Sequence, residues 1–205
     1  MYLPVALLAF ALIFFQLAPQ AAALSSDEIY SKAAPSVVHV VLKADSELVR
    51  ANGFFVRSDV IAAPYYLLKG HEAQVSDAQV TMVGQEESYP VQKLLAKDEA
   101  HDLVLLLVPG TKAPPLALNS GSEPPAASPA YILGDRLFKA GTVTIDPAHK
   151  ASLVIAAPVS PGCAGAVVLN QQDSVVGVVI GGLSSGKYVA TPASWLKALM
   201  SGAKL

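Results

Sequence analysis

The groups able to do nucleophilic chemistry are few and scattered. Cys163 is the only cysteine in the 205-residue chain, within Pro161-Gly162-Cys163-Ala164-Gly165-Ala166. A thiol attacks as the thiolate and needs a base to form it. Two of the four histidines are candidates for that base: His71, after Lys69-Gly70, and His101, beside Asp102. If residues 101 and 102 share one extended strand, their side chains point to opposite faces, and Asp102 does not orient His101. His39, inside Val37-Val38-His39-Val40-Val41, reads as a strand residue, and His149, in Pro147-Ala148-His149-Lys150, as a hairpin tip. No close ligand spacing links the four, and no second cysteine supports them, which argues against a structural zinc site. Gly177, Gly181, Gly182 and Gly186 lie among β runs without the helix that a phosphate loop requires. No cofactor is implied.

The elements that must position these groups follow from composition and pattern. The chain is 53% hydrophobic and 15% charged, which provides for a real core. Its length suits one domain, or two small lobes in one unit. The net charge is -2 with no basic block, so nothing marks a nucleic-acid footprint. Residues 3–15 are apolar, and Ala21-Ala22-Ala23 places small residues before Leu24. This reads as a secretory signal peptide over residues 1–23, despite the lack of Lys or Arg at its start. An uncleaved anchor over residues 3–18 is the alternative, and the only route to a membrane, although the run is short for a full span. The expected location is exported, periplasmic or secreted. A single cysteine allows no internal disulfide, which fits a bacterial exported protein relying on its core.

After a short lead-in helix over residues 25–34, capped by Ser25 or Ser26 and ended by Pro35, the pattern is of short β runs. Six candidates precede the middle of the chain: 36–43, 49–57, 60–63, 73–83, 89–95 and 103–108. Residues 113–129, with Pro114-Pro115 and Pro124-Pro125, read as a linker between a first lobe over 35–112 and a second over 130–191. Six more candidates follow: 130–133, 139–145, 151–157, 165–169, 174–180 and 187–190. Thr191 as a cap and Pro192 in the first turn predict a closing helix over 192–201, with Trp195, Leu196 and Leu199 on one apolar face. The expected fold is all-β: two six-stranded antiparallel β-barrels with a short C-terminal helix.

The order of several short motifs resembles the trypsin-like serine protease family, most closely its bacterial HtrA-like or Deg-like branch. Ala51-Asn52-Gly53-Phe54 is similar to the family's Gly-Ser-Gly-Phe. Ala62-Ala63-Pro64-Tyr65-Tyr66-Leu67-Leu68 stands where the family has Val-Thr-Asn-Asn-His-Val-Val. Asp102-Leu103-Val104-Leu105-Leu106 resembles Asp-Leu-Ala-Leu-Leu, and Pro161 to Asn170 resembles Pro-Gly-Asn-Ser-Gly-Gly-Pro-Leu-Leu-Asn. Tyr188-Val189-Ala190-Thr191-Pro192 is similar to the lead into the last helix.

The resemblance implies a catalytic triad that has lost two members. Ala164 takes the nucleophile position and has no oxygen. Tyr66 takes the base position, and an unperturbed phenol, with a pKa of about 10, is no base near neutral pH. Asp102 keeps the acid position with no imidazole to orient; it is expected to accept hydrogen bonds from the start of a neighbouring segment or from the Tyr66 hydroxyl. Gly162, Cys163 and Ala164 form an oxyanion-like loop able to keep its shape without a nucleophile. Tyr65, Tyr66, Val179, Ile180, Gly181 and Gly182 are the expected contacts for an extended peptide laid against the strand 176–182. The implied protein is a pseudoprotease that binds a peptide or protein ligand, with a regulatory role as an extension. Two alternatives stand beside it: a Cys163-dependent peptidase with a non-standard base, and a structural envelope protein.

Overall fold

The computed structural model describes residues 23–45, 47–144 and 152–205. Residues 1–22, which hold most of the expected signal peptide, and His149 lie outside that set. The lead-in helix α1 (Ser26–Ala33) starts as its sequence requires. The Ser25 hydroxyl accepts from the Glu28 N–H at 3.3 Å, and the Glu28 carboxylate accepts from the Ser25 N–H at 2.8 Å. This reciprocal cap satisfies donors that have no helical partner. Ile29 and Ala33 are buried, and they anchor α1 to the layer between the lobes.

The first lobe holds β1 (Val37–Ala44), β2 (Glu47–Arg57), β3 (Val60–Ala63), β4 (Ala78–Met82), β5 (Ser88–Pro90), β6 (Lys93–Asp98) and β7 (Leu103–Leu107). They form one antiparallel sheet in the order β5-β4-β1-β2-β3-β7-β6. The expected six-stranded closed barrel is therefore wrong for this lobe: the sheet is open and has seven strands. The single run expected over 89–95 holds two strands. Pro90 pairs with Gln79 while the Val91 N–H still bonds β4, so the ring without an N–H faces the open side of β5, where it cannot take a further ladder partner. β5 stays on β4 and β6 crosses to β7. At the corner between them, the Val91 N–H donates to the Ala78 carbonyl and the Gln92 N–H to the Leu107 carbonyl. Two consecutive residues thus bond β4 and β7, the strands next to the two edges, without joining the edges in a ladder. The run expected over 73–83 is also shorter: Glu72–Asp77 is a 3-10 turn, and the strand begins at Ala78.

The second lobe holds β8 (Pro129–Gly134), β9 (Leu137–Thr144), β10 (Leu153–Ala156), β11 (Val167–Leu169), β12 (Val175–Leu183) and β13 (Lys187–Pro192). These close into a barrel in the order β10-β13-β12-β11-β8-β9. The segment between the lobes is tied to both. The Leu116 N–H donates to the Phe55 carbonyl, and Leu118 forms a parallel bridge with Val175. The chain ends in α2 (Ala193–Gly202), whose buried Ala193 and Leu196 share a core with α1 and both lobes. Thr191 does not cap this helix. Pro192 holds the cap position, and the Thr191 hydroxyl instead donates to the His101 carbonyl at 2.7 Å.

Candidate functional site

The site forms where the ends of β3 and β7 meet the loop before β11. Pro64 closes β3 with extended backbone, and Tyr65–Leu67 makes a single 3-10 turn. Opposite it, Asp102 sits in the turn before β7 with φ 54, so residues 101 and 102 do not lie on one strand. The Tyr66 N–H donates to Asp102 Oδ1 at 2.7 Å and the Tyr65 N–H to the Asp102 carbonyl at 3.2 Å. The acid thus holds the backbone of the turn that carries Tyr66. Partial burial pushes the Asp102 carboxyl above its ordinary range, opposed by the two N–H groups and by Lys69.

The two tyrosines part company. The Tyr66 ring is 37% exposed and its hydroxyl donates to the Arg50 carbonyl, not to Asp102. Burial, then the Asp102 carboxylate, push this phenol up, so it stays neutral at physiological pH. Tyr65 packs into the first-lobe core, with its hydroxyl on Glu72 at 2.5 Å and Lys97 5.1 Å from its ring centre. It offers the site little surface.

The loop carrying Ala164 is clamped by a residue that sequence reasoning gave no role. Asn52 on β2 is 2% exposed. Its amide nitrogen donates to the carbonyls of Gly162 at 2.8 Å and Ala164 at 3.0 Å, and its amide oxygen accepts from the Asp135 N–H at 2.7 Å. Its backbone N–H adds a bond to the Ala164 carbonyl at 2.9 Å. The signal was there: a lone amide in the otherwise apolar run Ala51 to Val56 must have partners if it is buried. Gly165 completes the clamp. Its φ is 81, and a Cβ there would stand 2.0 Å from the Asn52 carbonyl oxygen. Ala164 is half-buried, and Cys163 is buried, which pushes the thiol up and disfavours its thiolate. The imidazole of His101 is engaged elsewhere, with Nδ1 2.7 Å from Asp98 Oδ2 and the ring stacked on Trp195 at 3.6 Å. His71 follows the turn at Gly70, and its carbonyl accepts from the Gln74 N–H.

On the second-lobe side, β12 pairs with β13 past a bulge between Val179 and Gly181. Its β11 ladder runs only to Val178, and Val179 adds bonds to Gly165 and Ala166. From Ile180 to Leu183, the edge away from β13 has no ladder partner among the described residues. Val179 is buried, Ile180 and Gly181 are half-buried, and Gly182 is exposed. Val159 lies over Gly182, with Cγ1 2.3 Å from where a Cβ would stand. The segment carrying Val159 is fixed by buried Tyr188, whose hydroxyl accepts from the Ser160 N–H at 2.9 Å and donates to the Pro158 carbonyl at 3.0 Å. A cleft of about 300 Å³ adjoins the clamp, lined by His39, Arg50, Asn52, Asp135, Arg136 and Gly162 among others. Among the described residues, no group of three His, Cys, Asp or Glu side chains could hold a metal ion.

Residues 51–178 match the family model of the trypsin-like peptidase domain. Among solved structures, the serine endoprotease from Yersinia pestis superposes with a TM-score of 0.74 at 19% identity, over 87% of this chain and 66% of that one. This chain therefore spans just under two thirds of that protein's length. The inactive form of a serine-to-alanine mutant of Rv3671c from M. tuberculosis H37Rv gives a TM-score of 0.69 at 18% identity, over 91% of this chain and 98% of its own. Identities this low show a shared fold alone. No curated protein matches the sequence.

Proposed function

This chain belongs to the trypsin-like peptidase domain family, and we propose that it is a catalytically inactive member, of the HtrA-like or Deg-like branch, that binds a peptide or protein segment. One observation carries the reading. The loop residue at the nucleophile position, Ala164, has only a methyl group, while the side chain at the base position, Tyr66, is a neutral phenol whose hydroxyl is used on the Arg50 carbonyl. Nucleophilic acyl transfer needs an activated nucleophile and a base in reach of it.

Binding is what the remaining geometry supports. The edge of β12 from Ile180 to Leu183 can pair with an extended segment, as strand addition requires. Val159, beside Gly182, and Tyr66, on the turn held by Asp102, add exposed apolar surface. Val159 fills the recess above Gly182, so a ligand would lie along the surface and not bury a large side chain there. Export by residues 1–23 and a regulatory partnership with an active protease belong to the same proposal.

The test is turnover of a peptide library by purified Leu24–Leu205 beside its Cys163→Ala variant, followed by mass spectrometry. No cleavage by either protein is the expected result. Cleavage by the parent that is lost in C163A would overturn the reading and make Cys163 a nucleophile.

A further inference from the structure

We propose that the cleft between Arg50 and Arg136 is a carboxylate site, which makes the bound segment an acidic one. The inference rests on the peptide-binding reading and deepens it. The cleft, of about 300 Å³, brings together β2 and the β8–β9 turn and ends at Gly162, on the loop that carries Ala164. Its lining residues include two arginines and one acid, Arg50, Arg136 and Asp135, with His39 and Ser160 as further polar residues. That positive balance runs against the chain's own net charge of -2. Both arginines are exposed, and among the described residues no carboxylate stands within ion-pair distance of either.

The backbones that carry the two cations are also held in place before any ligand arrives. The Arg50 carbonyl accepts the Tyr66 hydroxyl, which fixes its backbone. Arg136 lies in a tight turn with φ 53, and the preceding residue, Asp135, is bonded through its N–H to Asn52. Asn52 also clamps the Gly162 carbonyl, so loop and turn hang from one buried amide. Guanidiniums match carboxylates with paired, charge-assisted bonds, and holding their backbones in advance lowers the ordering cost of binding. A carboxylate in this cleft could come from a chain terminus or from an Asp or Glu side chain.

Affinity selection with four synthetic octapeptide pools separates these sources. The pools carry Glu or Gln at one fixed position, each with a free or an amidated C-terminus. Retention is read by mass spectrometry on the purified protein. Pools with a carboxylate should be retained roughly tenfold better than their amide counterparts, and the arm that shows the preference names the source. The double variant Arg50→Gln, Arg136→Gln should lose that preference. Arg57→Gln, which removes the same charge away from the cleft, should keep it. In the parent, the preference should shrink when NaCl rises from about 0.05 to about 0.5 M, a readout that needs no variant to fold. Equal retention of acid and amide pools, or a preference that survives the double variant, overturns the carboxylate site while leaving peptide binding in place. No retention of any pool overturns both.

Discussion

Replacing Asn52 with alanine tests whether one buried amide holds the site together. The change removes three side-chain hydrogen bonds, to the Gly162 and Ala164 carbonyls and from the Asp135 N–H. At about 1 kcal/mol net for each, the first-order loss is about 3 kcal/mol. Two features trim it. The Ala164 carbonyl keeps the Asn52 backbone N–H, and exposed Gly162 can turn to water. The expected loss is therefore about 2–3 kcal/mol, or a fall in Tm of roughly 5–10 °C for a domain of this size. Thermal and urea denaturation followed by circular dichroism measure it, and hydrogen exchange should show the Asp135 amide losing protection. Asn52→Asp should be worse than N52A near neutral pH, since it sets a carboxylate against two carbonyl oxygens. A loss below about 1 kcal/mol, with Asp135 still protected, would refute the reasoning. The loop would then be held by its backbone bonds, from the residue 52 N–H to the Ala164 carbonyl, between Val179 and both Gly165 and Ala166, and from Ala166 to Cys163.

Three further outcomes follow from the same geometry. Gly165→Ala should cost more than about 3 kcal/mol, because its Cβ meets backbone at 2.0 Å. Gly162→Ala, at a similar φ of 73 but with nothing within 4 Å, should cost only about 1–2 kcal/mol, so the pair isolates the clash in parallel denaturation curves. The Asp102 carboxyl is raised in the folded protein, so its charge costs stability as pH climbs above the ordinary 3.8. Asp102→Asn, whose amide oxygen can still accept the Tyr66 N–H, should be more stable than the parent at pH 7 and equal to it below pH 3.8; a less stable variant at pH 7 would contradict this. Glu72 runs the other way. The Tyr65 hydroxyl lowers its carboxyl from 4.5 to about 2, so its contribution is complete above pH 4.5 and fades as pH falls towards 2. A pH series on Glu72→Gln should lack that acid-side slope.

How much was legible depended on how far apart the interacting residues lie in the chain. The helix start at Ser25 could be read, because its partner Glu28 is three residues away. The mostly β character and the C-terminal helix were likewise carried by local pattern. The strand count of the first lobe is not local: the run over 89–95 changes partner between Val91, which bonds β4, and Gln92, which bonds β7, and so holds two strands on opposite edges. Thr191 looked like a cap but found a better partner in the His101 carbonyl, 90 residues earlier. For Asn52 the need for partners is local, a lone amide in an apolar run, but their identity is not, since the Gly162 carbonyl it holds is 110 residues away. Tyr65 and Tyr66 are neighbours of one type, yet one supports the core and the other faces the site. Only the 3-10 turn that rotates them apart makes the difference.

An open sheet has two borders, and each is a template on which a strand from another molecule can grow. This chain blunts both. On one side β5 is only three residues long and ends in a proline, with Glu86 and Glu87 just before it. On the other, β6 carries Lys93 and Lys97, while Leu95 and Ala96 pack in the core that contains Leu196 and Leu199 of the final helix. The closing helix therefore acts as a guard rail as well as a support. A chain shortened before Ala193 would bare the longer border, and its expected failure is polymerisation, strand upon strand, before it is unfolding.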